Sequence, residues 1–266
     1  MDRKLSKQEL RELLYRRRYV IPNAVTVGNM FCGFLAILYA TSGRFEKAII
    51  AILIAILLDG LDGRVARRLN ATSKFGIEYD SFSDVVSFGI APAVLIYYWA
   101  FHHIADDFGV IVTFFYGVCA ASRLARFNIS TENLKNFVGL PTPGAAAFVV
   151  AVVNFSPVAD GSILSVLAGT LVMVIIGYLM VSQVEYFSIK QFRLSGVKLR
   201  GRLGLSLLIA LTWYSSAVGL LAITAWYVLS GPYLRIRPTL PRYLGGTRND
   251  ESLPVAKEEA PVYRVH

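Results

Sequence analysis

The sequence predicts an all-α, polytopic membrane protein, and three observations carry that prediction. Apolar residues make up 55% of the 266 positions and charged residues 17%, a balance suited to lipid rather than water as the main solvent. Apolar runs recur at lengths close to the ~20 residues that a helix needs to cross the hydrocarbon core. Basic residues gather on alternate connections, as expected of spans that cross back and forth.

The first run, 21–42, opens at Pro22, where a missing N–H donor is harmless in a first helical turn. Asn23, Thr26 and Asn29 then form one polar stripe on an otherwise apolar helix. Two readings of that stripe stand side by side: hydrogen bonding between helices, and contact with a nucleotide or substrate. Ser42 and Gly43 return the chain into a second run, 46–69, apolar from Ala48 to Leu58 and abruptly polar at Asp59. Asn70 to Lys74 reads as a loop, and Gly76 permits a close approach before the third run, 79–101. Further runs cover 108–127, 143–158 and 162–183, with Pro141 and Pro143 bracketing the start of the fifth. That fifth run is short and can be accommodated by tilt or local thinning of the bilayer. A last stretch, 203–230, suits one long span by length. Charge instead favours two short helices divided near Tyr214 to Ser216, which would return Arg235, Arg237, Arg242 and Arg248 to the side of the N-terminus.

The net charge is +9, and its placement fixes an orientation. Arg3, Lys4, Lys7, Arg11, Arg16, Arg17 and Arg18 precede the first run. With that end in the cytoplasm, Arg64, Arg67, Arg68, Lys74, Arg123, Arg126, Lys135 and the cluster from Lys190 to Arg202 fall inside too. The far side carries Asp106, Asp107 and Asp160, with Arg44 and Lys47 as minor exceptions, and Tyr97, Tyr98 and Trp99 suit an aromatic belt there beside His102 and His103. Residues 1–19 read as a basic segment lying on anionic lipid, 20–230 as a transmembrane catalytic domain, and the proline-punctuated 231–266 as a disordered tail. A basic end without stacking aromatics or a groove-reading module argues against nucleic acid. Cys32 and Cys119 lie in spans without metal-ligand spacing and read as packing residues. No cleavable signal sequence is expected, because the first run is long and lacks a processing site.

The chemistry lies in residues 59–84. Asp59 and Asp62 are three apart, Asp80 and Asp84 four apart, so each pair shares a helix face. A short connection lets the two faces meet. Carboxylates crowded in this way repel unless cations neutralise them, and oxygen ligands suit Mg²⁺ or Mn²⁺, with Ca²⁺ as a further candidate. A charge near the bilayer centre costs ~2.5–3.5 kcal/mol on insertion scales, so such residues are seldom retained for packing alone. Gly63 and Ala66 leave room beside them for a nucleotide, and Arg67 offers a planar fork for phosphate oxygens.

The pattern D-x-x-D-G-x-x-A-R, eight residues, then G-x-x-x-D-x-x-x-D, is filled by Asp59, Asp62, Gly63, Ala66, Arg67, Gly76, Asp80 and Asp84. In this the sequence resembles the CDP-alcohol phosphatidyltransferases. The resemblance implies a six-helix core, here with one or two additional C-terminal transmembrane helices, a cytoplasm-facing cavity, two divalent cations and a homodimer. It implies that Asp59, Asp62 and Asp80 are metal ligands, and that Asp84 joins the metal site or acts as general base. Gly63, Ala66, Arg67 and Gly76, with Asn23 and Thr26, are then expected to contact the CDP-diphosphate group.

Across residues 20–230 the chain is most similar to the bacterial and archaeal branch of that family whose acceptor is L-serine and whose donor is CDP-diacylglycerol. The likeness is strongest in IPNAVTVGNMFCGFLAI, SRLARFN and FVGLPTPGAA. Relatives with phosphorylated acceptors tend to carry arginine where this chain has Asn29, so an unphosphorylated acceptor fits. Arg123 and Arg126 are candidates to hold the serine carboxylate, with Asn128 nearby; the bland alternative is that these arginines snorkel to lipid phosphates. Tyr186 and Lys190 are further cavity candidates. Rival functions are transfer to choline, inositol or a glycerol derivative, and, outside the family, a divalent-cation transporter.

Overall fold

A computed structural model describes residues 7–69, 73–103, 107–129, 137–158, 161–186 and 215–236. Among these the chain forms seven helices: α1 Lys7–Thr41, α2 Phe45–Arg68, α3 Lys74–Phe101, α4 Phe108–Ile129, α5 Thr142–Phe155, α6 Ile163–Val181 and α7 Ser216–Ile236. A two-residue antiparallel ladder, β1 Phe137–Val138 with β2 Glu185–Tyr186, pairs Phe137 with Tyr186. Four segments are long and apolar enough to cross a bilayer: Val20–Thr41, Lys74–Phe101, Phe108–Ile129 and Ile163–Val181. This is an integral membrane protein. Phe31, Phe34, Ile111, Phe114, Leu164, Leu171 and Tyr178 stand exposed on its outer faces, a belt that water would penalise and lipid solvates.

The last helix, α7, is not among the four, and two earlier runs that read as spans fall short of that standard for identifiable reasons. The second half of α2 is charged from Asp59 onward, because it carries the site. Helix α5 has 14 residues, about 21 Å of rise against a hydrocarbon core of ~30 Å. It is nevertheless well enclosed, with Ala145, Ala146, Val149, Val150, Ala151 and Val153 fully buried.

Pro22 marks no helix start. Helix α1 runs through it from Lys7, since a proline removes one backbone hydrogen bond without forbidding continuation on its C-terminal side. The first turn of α2 is reached through Gly43 at φ +69, a left-handed value that glycine adopts without strain. There the N–H of Arg44 bonds the Tyr39 carbonyl at 2.8 Å. Small residues then let α1 and α2 approach, with Ala36, Ala40, Ala48, Ile52 and Ala55 buried together.

Helix α3 begins five residues before the expected 79. Ser73 caps it by accepting the Gly76 N–H at 3.0 Å, so Gly76 sits in the first turn rather than ahead of the helix. The helix widens into π-type turns at Val85–Ile90, directly after Asp84, and again at Tyr97–Phe101. Such widenings are frequent at functional sites. Pro92 cannot bond the carbonyl of Phe88, and the buried Tyr116 hydroxyl donates to that oxygen instead at 3.0 Å. Between β1 and α5, Gly139 adopts φ +83 and its N–H bonds the Val184 carbonyl at 2.8 Å. The FVGLPTP segment is thereby docked against the end of α6.

Thr41, Gly43, Phe45, Tyr98, His102, His103, Pro157 and Val158 line one depression at the opposite end of the bundle from the aspartates. The backbone of 7–19 is helical. The expectations for the side chains of residues 1–19, for Lys135, Asp106 and Asp160, for Lys190 to Arg202, for 203–214 and for 237–266 lie outside the described residues. For the last apolar stretch, one helix starts at Ser216, at the division expected of two.

Candidate active site

The C-terminal half of α2 and the N-terminal half of α3 both pack against α1, and three of their aspartates converge. Asp59, Asp62 and Asp80 each offer one carboxylate oxygen, all within 4.8 Å of one another. Asp62 is 4% exposed, whereas Asp59 and Asp80 are half-buried. Asp84, one turn along α3 from Asp80, is buried. Among the described residues, Oδ1 of Asp80 and Oδ1 of Asp84 are buried without a hydrogen-bond partner. Three converging acidic oxygens with unsatisfied lone pairs beside them form a donor set for a hard divalent cation. Without one, three carboxylates this close would repel one another. The residues present therefore fit such an ion.

Helix α1 braces this cluster through the polar stripe. Thr26 Oγ1 lies 3.2 Å from Asp62 Oδ2 and 3.2 Å from the Pro22 carbonyl, so its single hydrogen is shared between them. The Thr26 carbonyl accepts from Ser83 Oγ at 3.2 Å, and the Asn29 carbonyl from Ser87 Oγ at 3.1 Å. Gly33 permits the approach: a Cβ there would stand 2.5 Å from Ser87 Oγ and 2.7 Å from Ser87 Cα. Asn23 Oδ1 lies 3.5 Å from where a Cβ of Gly76 would be. Asn29 is fully buried, and neither atom of its side-chain amide has a partner among the described residues. Such a group costs stability unless a ligand or water serves it.

The Arg67 guanidinium folds back over Gly63, with Nη1 3.5 Å from the position a Cβ would take. Arg67 is exposed and Ala66 half-buried on the same helix, and the Gly63 N–H bonds Asp62 Oδ1.

The expected acceptor residues divide into two groups. Arg123 is 7% exposed, donates from Nη1 to Thr142 Oγ1 at 3.3 Å, and keeps an unpartnered Nε among the described residues. It also interacts electrostatically with Asp84 and Asp59. Arg126 is instead engaged with the backbone: Nη1 donates to the Val181 carbonyl at 3.0 Å, and Nη2 to Val138 and Met180 at 3.3 Å. It ties the end of α6 to β1, where a cation also favours the helix dipole. Asn128 is exposed and bonds Ser81 at 3.0 Å and Glu78 at 3.4 Å. Tyr186 is buried, and its hydroxyl donates to the Val228 carbonyl at 3.2 Å.

Sequence reasoning missed Ser83 and Ser87. The two serines sit four apart on α3, a spacing that could have shown them as one helix face. Thr142 falls in the FVGLPTPGAA segment that carries the resemblance, but its pairing with Arg123 depends on which helices become neighbours.

A family model described as CDP-alcohol phosphatidyltransferase matches residues 19–181. The chain belongs to that family. Among curated relatives, the CDP-diacylglycerol–serine O-phosphatidyltransferase of Helicobacter pylori J99 is 44% identical over 137 residues, 51% of this chain and 57% of the relative. The Bacillus subtilis protein of the same description is 37% identical over 139 residues, covering 52% of this chain and 78% of the relative. The archaetidylserine synthase of Methanothermobacter thermautotrophicus is 42% identical over 130 residues, 47% of this chain and 54% of the relative. The match thus covers little more than half the length of the Helicobacter and Methanothermobacter relatives.

Proposed function

We propose that the protein transfers the phosphatidyl group of CDP-diacylglycerol to L-serine, yielding phosphatidylserine and CMP. The observation that carries this reading is the convergence of Asp59, Asp62 and Asp80 from two helices, with Asp84 buried next along α3. Relatives at 37–44% identity described as serine phosphatidyltransferases support serine as acceptor.

Two divalent cations, Mg²⁺ or Mn²⁺ with Ca²⁺ as a further candidate, would be held by Asp59, Asp62 and Asp80 with Asp84 adjoining, and would neutralise the diphosphate and the departing CMP. The protein's own residues do the rest. Asp84 takes the proton from the serine hydroxyl as that oxygen bonds to the lipid-linked phosphorus and the bond to the CMP oxygen breaks in line. Gly63 and Ala66 leave the α2 surface low enough for the nucleotide, and Gly76 does so on α3. Arg67, free to swing from Gly63, reaches phosphate oxygens. Asn23 and Thr26 border the diphosphate, and Asn29 offers its unserved amide to an acceptor that needs no positive charge there. Arg123 supplies the charge for the serine carboxylate, with Arg126 and Asn128 bordering the same end.

Helices α1–α6 would form the six-helix core and α7 an additional C-terminal helix. The basic residues Arg64, Arg67, Arg68, Arg123 and Arg126 share the aspartate end, which supports a site and N-terminus facing the cytoplasm across the cell membrane. A homodimer with membrane lipid as its surroundings is the proposed assembly.

The test is head-group analysis of the lipid made by purified protein. Given CDP-diacylglycerol, Mg²⁺ or Mn²⁺ and labelled serine, the protein should release CMP and make labelled phosphatidylserine. Choline, inositol or glycerol phosphate should give neither. CMP release with one of those alone would reassign the acceptor, and cation flux in liposomes without CMP release would reject the enzyme.

A further inference from the structure

Two contacts between α3 and α4 fix where Arg123 stands. The Tyr116 hydroxyl donates to the Phe88 carbonyl at 3.0 Å. Further along α4, Asn128 Nδ2 donates to Ser81 Oγ at 3.0 Å. The two helices therefore run antiparallel, and the part of α4 between these contacts is level with the turn of α3 that ends at Asp84. Arg123 lies in that part, about two turns on from Tyr116 and on the same helix face. Ala120 sits between them against Gly89, where a Cβ would stand 3.3 Å from the Ala120 Cβ. Arg123, at 7% exposed, is thus level with Asp84 on the side that α4 turns to α3.

What grips its guanidinium there is Thr142. Arg123 Nη1 donates to Thr142 Oγ1 at 3.3 Å, the one hydrogen bond that the guanidinium makes among the described residues, and Nε is buried without a partner. Thr142 is fully buried, and its backbone is fixed on both sides. Before it, Arg126 Nη2 donates to the Val138 carbonyl at 3.3 Å, the Gly139 N–H to Val184 at 2.8 Å and the Leu140 N–H to Leu179 at 3.0 Å. After it, the Ala145 N–H bonds the Pro141 carbonyl at 2.9 Å and starts α5. Pro141 and Pro143 lock φ on either side, and a β-branched side chain has a restricted χ1. The hydroxyl is thus a fixed point rather than a group that follows the arginine. With one Nη gripped, the Nε edge of the planar fork is the part left to meet a carboxylate.

We propose that Thr142 is a positioning residue of the acceptor subsite, holding Nη1 of Arg123 so that the Nε edge is aimed at the carboxylate of an amino-acid acceptor. The proposal rests on the serine reading above. An arginine side chain has much rotamer freedom to lose, and one ordered before the acceptor arrives loses less affinity to that ordering. A hydroxyl gives this order without a charge of its own, so the positive charge stays available to the acceptor, whereas an acidic partner at the same place would offset it. The FVGLPTP segment then has a task beyond packing, which is to deliver that hydroxyl from the end of α6.

The experiment measures CMP release by full-length protein in detergent with CDP-diacylglycerol and Mn²⁺ at varied serine. Thr142→Val keeps the shape and removes the hydroxyl. Its serine KM should rise by about 3- to 10-fold, more than kcat falls, with the KM for CDP-diacylglycerol unchanged. Thr142→Ser should retain most of the serine affinity. Thr142→Ala should act in the same direction as Thr142→Val, giving a second reading should the valine variant fold poorly. In an Arg123→Ala background, Thr142→Val should add nothing further, because the group that it positions is gone. A serine KM unchanged in both Thr142→Val and Thr142→Ala, a loss of kcat alone, Thr142→Ser as impaired as Thr142→Val, or a full added effect in the Arg123→Ala background overturns the role of Thr142. Wild-type protein that releases no CMP with serine overturns the serine reading, and this role with it.

Discussion

The Thr26 hydroxyl stands 3.2 Å from Asp62 Oδ2, on a helix that contributes no aspartate of its own to the cluster. The same residue's carbonyl accepts from Ser83, the neighbour of Asp84. One threonine therefore fixes both acid-bearing helices relative to α1. A carboxylate that must meet a cation within a few tenths of an ångström benefits from such support from outside the ligand set.

Thr26→Val, close in shape and lacking the hydroxyl, should reduce activity by about 10-fold, in line with the ~1.5–3 kcal/mol net value of a hydrogen bond to a charged group. Thr26→Ser should retain most of it. CMP release at several Mn²⁺ concentrations checks this, and the valine variant should need more metal for half-maximal rate.

Asp84→Asn removes a proton acceptor while keeping volume. Turnover should fall by about 10²- to 10⁴-fold, the range of a general base, with a smaller change in the KM for CDP-diacylglycerol. Steady-state kinetics separates the two parameters, and an unchanged turnover would remove Asp84 from the chemistry.

Arg123 and Arg126 should respond differently. Arg123→Ala should raise the serine KM by at least about 10-fold, because a charge-assisted contact is lost. Arg126→Ala frees the carbonyls of Val138, Met180 and Val181, and should lower thermal stability by about 1–3 kcal/mol. Thermal unfolding in detergent, measured beside serine saturation curves, distinguishes these effects.

Gly33→Ala should destabilise the protein by about 1–3 kcal/mol, the usual cost of overpacking. The new methyl would meet Ser87 within 2.7 Å, including backbone that cannot rotate aside. A melting temperature equal to wild type would contradict the close α1–α3 contact.

Much of the site was legible in the sequence. Of the four aspartates expected to converge, Asp59, Asp62 and Asp80 do so, while Asp84 lies one turn further along α3 and outside that group. Spacing of three or four fixes a shared helix face but not how closely two helices bring those faces together. Placing Gly76 ahead of the third helix failed because that helix starts at Lys74 behind a Ser73 cap, although a serine three residues before the N–H that it accepts is a local signal. Reading Pro22 as a helix start failed because a proline excludes only the hydrogen bond to the preceding turn. The bland and functional readings of Arg123 and Arg126 were inseparable in sequence: both are basic residues at one helix end. Burial and the carbonyls around Arg126 separate them, and these depend on where α6 and β1 come to rest.

The central claim is that acidic side chains from α2 and α3 jointly hold divalent cation. Mn²⁺ binding to purified protein, followed by electron paramagnetic resonance, tests it without reference to any substrate. Wild-type protein should bind Mn²⁺, and Asp80→Asn should weaken that binding by at least about 10-fold although the residue lies on a different helix from Asp59 and Asp62. Equal Mn²⁺ affinity in wild type and Asp80→Asn would contradict it.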